Sequence, residues 1–126
     1  MASDTTIQIK GVAERIVIPD DYALLEELAA AAHGASGLAL IRVYSAMMAL
    51  CIPSVGRMCR VDYAAHRFDP LSYGRAVYSW LHGQKMTIEE VRLAGELLHP
   101  MVLAAAFPSD AEIKAELGKS PGPEVG

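Results

Sequence analysis

The chain has 126 residues, enough for one domain with a single core. Acids outnumber bases 15 to 11, and the bases are spread singly, which argues against a nucleic-acid binder because phosphate contacts need clustered Lys and Arg. Apolar residues make up 52% and the mean hydropathy is +0.24, above the roughly 45–50% of ordinary domains, so a protein partner is expected to cover surplus apolar surface.

The first predicted element is a β-hairpin. Residues 5–18, TTIQIKGVAERIVI, alternate by twos and are rich in β-branched side chains. Ile7 and Ile9 share a face; Val12, Glu14, Ile16 and Ile18 alternate with Ala13, Arg15 and Val17. Lys10-Gly11 falls between the two runs, where a tight turn needs positive φ. A lone hairpin is marginal in water, so it must lie on the helical body or pair with another chain.

Helices follow. Asp20 and Asp21 provide a capping carboxylate for YALLEELAAAAH, whose buried stripe is Leu24, Leu25, Leu28, Ala29 and Ala32, with Gly34 as its stop. Ser36 then caps a helix from about Gly37 to Ile52, which is apolar on nearly every side and is expected at the centre. Pro53 ends it. The stretch from Pro53 to Pro70 is the least regular, with Ser54 positioned to cap a short helical turn. Asp69-Pro70 opens the next helix, about Pro70 to His82, with Tyr73, Val77, Trp80 and Leu81 buried. Gly74 on the same face lets another backbone come near, and Gly83 is expected as a left-handed C-cap. Thr87 and Glu90 form a capping box, flanked by Met86 and Val91 at the staple positions. The helix they open puts Ile88, Val91, Ala94, Leu98, Met101, Val102 and Ala105 on one stripe. Pro100 predicts a kink or split near Leu98–His99. Ser109 or Asp110 caps a last short helix, AEIKAEL, and KSPGPEVG reads as a loose tail. The fold expected is mostly α, a small helical bundle with an N-terminal β-hairpin. Its parts are a hairpin arm over 1–18, a helical domain over 19–117 and a tail over 118–126.

Few residues carry chemistry. Cys51 and Cys59 read as small buried hydrophobes, because a disulfide scaffold needs more cysteines and a zinc site more ligands than His66. His33, His66, His82 and His99 have no metal-ligand spacing; His33 and His82 each precede a glycine at a helix end, where the ring serves the last carbonyls. There is no phosphate loop and no G-x-S-x-G. Catalytic, cofactor-binding and metal-binding residues are therefore all expected to be none. The run Leu38 to Ile52 falls short of about 20 apolar residues and contains Arg42, so a buried helix is expected rather than a membrane span. The amino terminus has no secretory pattern, and a cytoplasmic location is expected.

Four residues stand out as candidate partner contacts. Arg42 interrupts the apolar helix and must snorkel or meet a carboxylate, with Glu26 and Asp62 as candidates, or else a partner's acid. Arg57 and Arg60, with Arg67, form the one modest basic cluster, a candidate face for an acidic partner. Tyr78 points off its helix's buried stripe and is the aromatic best placed as an anchor.

The stretch DPLSYGRAVYSWLHGQKMTIEEVRLAGELL resembles the later part of the tail assembly chaperones of long-tailed bacteriophages and related phage-like particles. The shared elements are Tyr73-Gly74 opening a helix, Leu81 and Gly83 at a glycine corner, and a capped helix with Glu89, Glu90, Ala94 and Gly95. The resemblance covers about a quarter of the chain and implies a small, mostly helical, non-enzymatic protein of the host cytoplasm. Such a protein binds the tape-measure protein, self-associates around it as a homo-oligomer and recruits tail-tube subunits. It also implies a frameshifted longer product, for which Gly118-Lys119 matches a purine-rich slippery run. The competing expectations are a structural or connector subunit of such a particle, or a small helical adaptor unrelated to phage.

Overall fold

The computed structural model describes residues 5–108. The elements in chain order are β1 (Thr6–Ile9), β2 (Val12–Arg15), α1 (Tyr22–His33), α2 (Gly37–Cys51), α3 (Pro53–Cys59), a 3-10 turn (Ala64–His66), α4 (Pro70–Gly83) and α5 (Ile88–Ala106). The fold is mostly helical with an N-terminal antiparallel hairpin, as the periodicities predict. The final short helix and the tail expected from the sequence lie outside the described residues.

The hairpin pairs Ile7 with Glu14 and Ile9 with Val12, so these four share one face. Lys10 and Gly11 take φ of 52° and 82°, as a two-residue hairpin turn requires. The hairpin lies on the helical body. Ile7 and Ile16 belong to the core, and the backbone N–H of Val17 donates to the Cys51 carbonyl at 2.8 Å. Two further bonds hold it: Ser54 Oγ donates to Glu14 Oε1 at 2.7 Å, and Lys10 Nζ donates to the Lys85 carbonyl at 3.2 Å. Ser54 thus ties α3 to the hairpin and caps nothing; α3 begins at Pro53, whose fixed φ and missing N–H suit a first helical position.

α2 is the centre of the molecule, with nine of its 15 residues buried. It shares its largest interfaces with α4 and α5. Both approaches depend on a glycine. A Cβ on Gly74 of α4 would overlap the Arg42 carbonyl oxygen, and a Cβ on Gly95 of α5 would overlap the Tyr44 ring. The first was expected; the second was not, because a lone glycine in an apolar stripe does not reveal which side chain it admits. α3 leaves α2 at a bend of 104°. α1 buries Leu25, Leu28, Ala29 and Ala32, mainly against α5 and less against α2.

Most caps are those the sequence announces. Asp21 accepts from Leu24 N–H at 3.2 Å and Asp69 from Leu71 N–H at 3.0 Å. Thr87 Oγ1 accepts from Glu90 N–H at 3.1 Å, while Glu90 Oε1 accepts from Thr87 N–H at 2.8 Å. Ser36 stands at the N-cap of α2 without a side-chain bond. The α4–α5 corner departs from expectation. Gly83 remains helical, and the left-handed residue is Lys85, at φ 67°. The chain leaves α4 two residues later because the Gln84 N–H still finds the Trp80 and Leu81 carbonyls at 3.0 Å. α5 passes through Pro100 as a single 19-residue helix, so the predicted split does not occur. Its core stripe is Val91, Ala94, Gly95, Leu98, Val102 and Ala106, whereas Ile88, expected on it, is exposed.

Candidate interaction surfaces

The four sequence-predicted contact residues do not form one site through any hydrogen bond or ion pair among the described residues. Arg57 and Arg60 are exposed at the end of α3, where Arg60 takes a left-handed conformation at φ 55°. Tyr78 is half-buried on α4, one turn beyond the Gly74 crossing, with its ring 6.3 Å from that of His82. Arg42 is half-buried at the α2–α4 crossing. It reaches neither of the candidate carboxylates, Glu26 and Asp62, and its Nε is buried without a hydrogen-bond partner.

An apolar groove lies elsewhere, between the start of α2 and the start of α5. Gly37, Leu38, Leu40, Ile41 and Tyr44 make one wall, and Ile88, Arg92 and Glu96 the other, around about 340 Å³. Leu38 is 45% exposed and Ile88 51%. The floor is set by the Tyr44 ring, which lies over Gly95 and 6.0 Å from the His99 ring. Burial pushes the Tyr44 hydroxyl above its ordinary pKa of 10.0, with the Glu96 carboxylate adding to the effect, so it stays a neutral hydrogen-bonding group. The α5 wall is charged, with one arginine pairing two carboxylates. Arg92 Nε donates to Glu89 Oε1 at 3.0 Å, Arg92 Nη2 pairs with Glu89 Oε2, and Nη1 reaches Glu96 Oε2 at 2.6 Å. These bonds hold the Glu89 carboxyl below its usual range and raise Arg92. The residues i, i+3 and i+4 on one helix face explain the triad. The result is a short apolar slot with a fixed polar rim.

A second feature surrounds Tyr63. Its hydroxyl lies 3.0 Å from Glu27 Oε1 and 2.9 Å from the Phe68 carbonyl, and its ring packs edge-on against Phe68 and Tyr73 at 5.4 and 5.0 Å. The loop achieves this with Arg67 and Phe68 both at positive φ, 58° and 55°. Burial first, then the Glu27 bond, raises the Tyr63 hydroxyl well above its ordinary value. This cluster docks the loop onto α1, with Asp21, Ala23 and Leu24 beside it, and it was not legible beforehand because its aromatics come from separate elements.

Among the described residues, no group of three or more His, Cys, Asp or Glu is placed to hold a metal ion. Cys51 and Cys59 are buried free thiols, as expected, and burial pushes the Cys51 thiol up to about 12. No single described helix is long and apolar enough to cross a membrane. The chain matches no protein-family model, and no significant similarity to a curated protein or a solved structure is found.

Proposed function

We propose that this protein is a non-catalytic assembly chaperone of a phage-like tail, which holds an apolar helical segment of the tape-measure protein during tail building. The observation that carries the reading is the α2–α5 slot: exposed Leu38 and Ile88 flank a groove whose rim charges are already paired with one another. A rim whose charged groups are already paired with one another offers a client few free ionic contacts, and an apolar slot accepts the face of an amphipathic helix. The sequence resemblance over residues 69–98 supplies the biological context, and that stretch includes Ile88, Arg92 and Glu96 on the α5 wall. Arg57 and Arg60 are candidate contacts for acids on a tail-tube subunit.

The test is co-expression with the tape-measure protein, which the reading expects to be a very long helical protein encoded by a neighbouring gene. The chaperone reading expects co-purification that Leu38→Glu with Ile88→Glu weakens at least tenfold. It also expects the protein to be missing from finished tails by mass spectrometry. Absence of any such neighbouring gene, or presence of the protein at fixed stoichiometry in purified tails, rejects the reading, and the latter outcome favours a structural subunit.

A further inference from the structure

α5 carries a second apolar stripe that its core stripe does not use. Leu93, Leu97, Pro100 and Ala104 are all exposed, and their spacing is 4-3-4. That is the spacing of a coiled-coil seam, in which every knob faces a partner helix. Leu93 is 54% exposed and Leu97 46%. The seam points away from Val91, Leu98 and Val102, which bury against the bundle. It is also distinct from the α2–α5 slot, whose α5 wall is Ile88, Arg92 and Glu96.

We infer that this seam is a self-association surface, closed by α5 of a second copy running antiparallel. The charge distribution selects the occupant and the direction. Glu89, Glu90, Arg92 and Glu96 all lie in the first half of the helix, and residues 97–107 contain no Asp, Glu, Lys or Arg. A parallel pairing sets the acids of one copy beside the same acids of the other. An antiparallel pairing sets them beside the uncharged half and opposes the two helix dipoles favourably. The side-chain sizes agree. With the two-fold axis between Leu97 and Pro100, Leu93 of one copy faces the small Ala104 of its mate, and Leu97 faces the Pro100 ring. The two halves of one stripe are thus complementary to each other, which is what a two-fold contact requires.

This inference rests on the proposed function only in giving a surface to the self-association that the sequence resemblance implies, and it needs no particular client. Sedimentation of the full chain is expected to show a dimer of the 13.5 kDa protein at micromolar concentration. Leu93→Glu with Leu97→Glu, both exposed in the monomer, is expected to weaken dimerisation at least a hundredfold with unchanged circular dichroism. Leu93→Cys and Ala104→Cys variants, oxidised together, are expected to cross-link to each other, and neither alone to itself; the native thiols are buried. A wild-type monomer, a dimer that survives the glutamate pair, or Leu93→Cys cross-linking with itself overturns the inference. Capture of the tape-measure protein is scored separately: a dimer that captures nothing leaves the seam standing and removes the chaperone reading, whereas a monomer that captures its client does the reverse.

Discussion

At the residue scale, Gly74 and Gly83 belong to one helix and face opposite fates. A Cβ at Gly74 meets a backbone carbonyl, which cannot rotate away, whereas one at Gly83 meets nothing within 4 Å. Gly74→Ala is therefore expected to lose about 2–3 kcal/mol by overpacking, less the roughly 1 kcal/mol that alanine gains in helix propensity. Gly83→Ala is expected to gain a few tenths to about 1 kcal/mol, since its φ suits any residue. Urea unfolding of the two variants checks the opposite signs. Arg42 gives a second residue-level expectation. Its Nε is a buried donor without a partner, and such a group costs about 1–3 kcal/mol. Arg42→Met keeps the stem's packing and removes the donor, so the urea midpoint is expected to hold or rise. A fall instead means that the guanidinium is satisfied in solution. Gly74's role was readable from its place on an apolar face. The isolation of Arg42 was not, because a pairing between elements depends on how the helices are rotated.

At the element scale, α5 is built from signals that lie close together in sequence. The capping box satisfies one N–H at each end of the first turn, and the Thr87 backbone bond holds the Glu90 carboxyl below its ordinary range. Thr87→Ala is expected to cost about 1 kcal/mol and to speed amide exchange in the first turn of α5. The staple residues Met86 and Val91 are both buried and anchor the corner from inside. The corner itself shows where local reading stops. Gly83 is the obvious left-handed residue by composition, yet Lys85 takes that conformation, and its carbonyl accepts the Lys10 ammonium. A contact across 75 residues leaves no trace in local propensity. Likewise Ile88 fits the helical period of the core stripe, but as the first residue of α5 it borders the open slot beside Gly37 and Leu38 and stays exposed.

At the scale of the whole molecule, the core titrates late. Burial pushes the Cys51 thiol from 9.0 and the Tyr73 hydroxyl from 10.0 up to about 12 each. Both groups are neutral when protonated, so the unfolded chain loses these protons first as pH rises. Stability from this source is fully present below about pH 9 and is lost progressively between pH 9 and 12. A decline on the order of a few kcal/mol is expected by pH 11, at about 1.4 kcal/mol per pKa unit. Urea midpoints at pH 8 and pH 11 measure it, and a flat profile would mean that these groups are hydrated in the folded state.

Elements, caps and the central position of α2 were determined by the sequence itself, because each depends on residues within one or two helical turns of each other. The hairpin turn at Lys10-Gly11, the carboxylate caps at Asp21 and Asp69 and the buried thiols belong to this class. The tertiary structure alone decided which apolar residues are left over. Leu38 and Ile88 come from helices 50 residues apart, and only their juxtaposition makes a slot; Leu93 and Leu97 become a free seam only because the other face of α5 is the one that α1 and α2 cover. Hydrophobicity is a property of a side chain, whereas exposure is a property of what the rest of the chain places beside it.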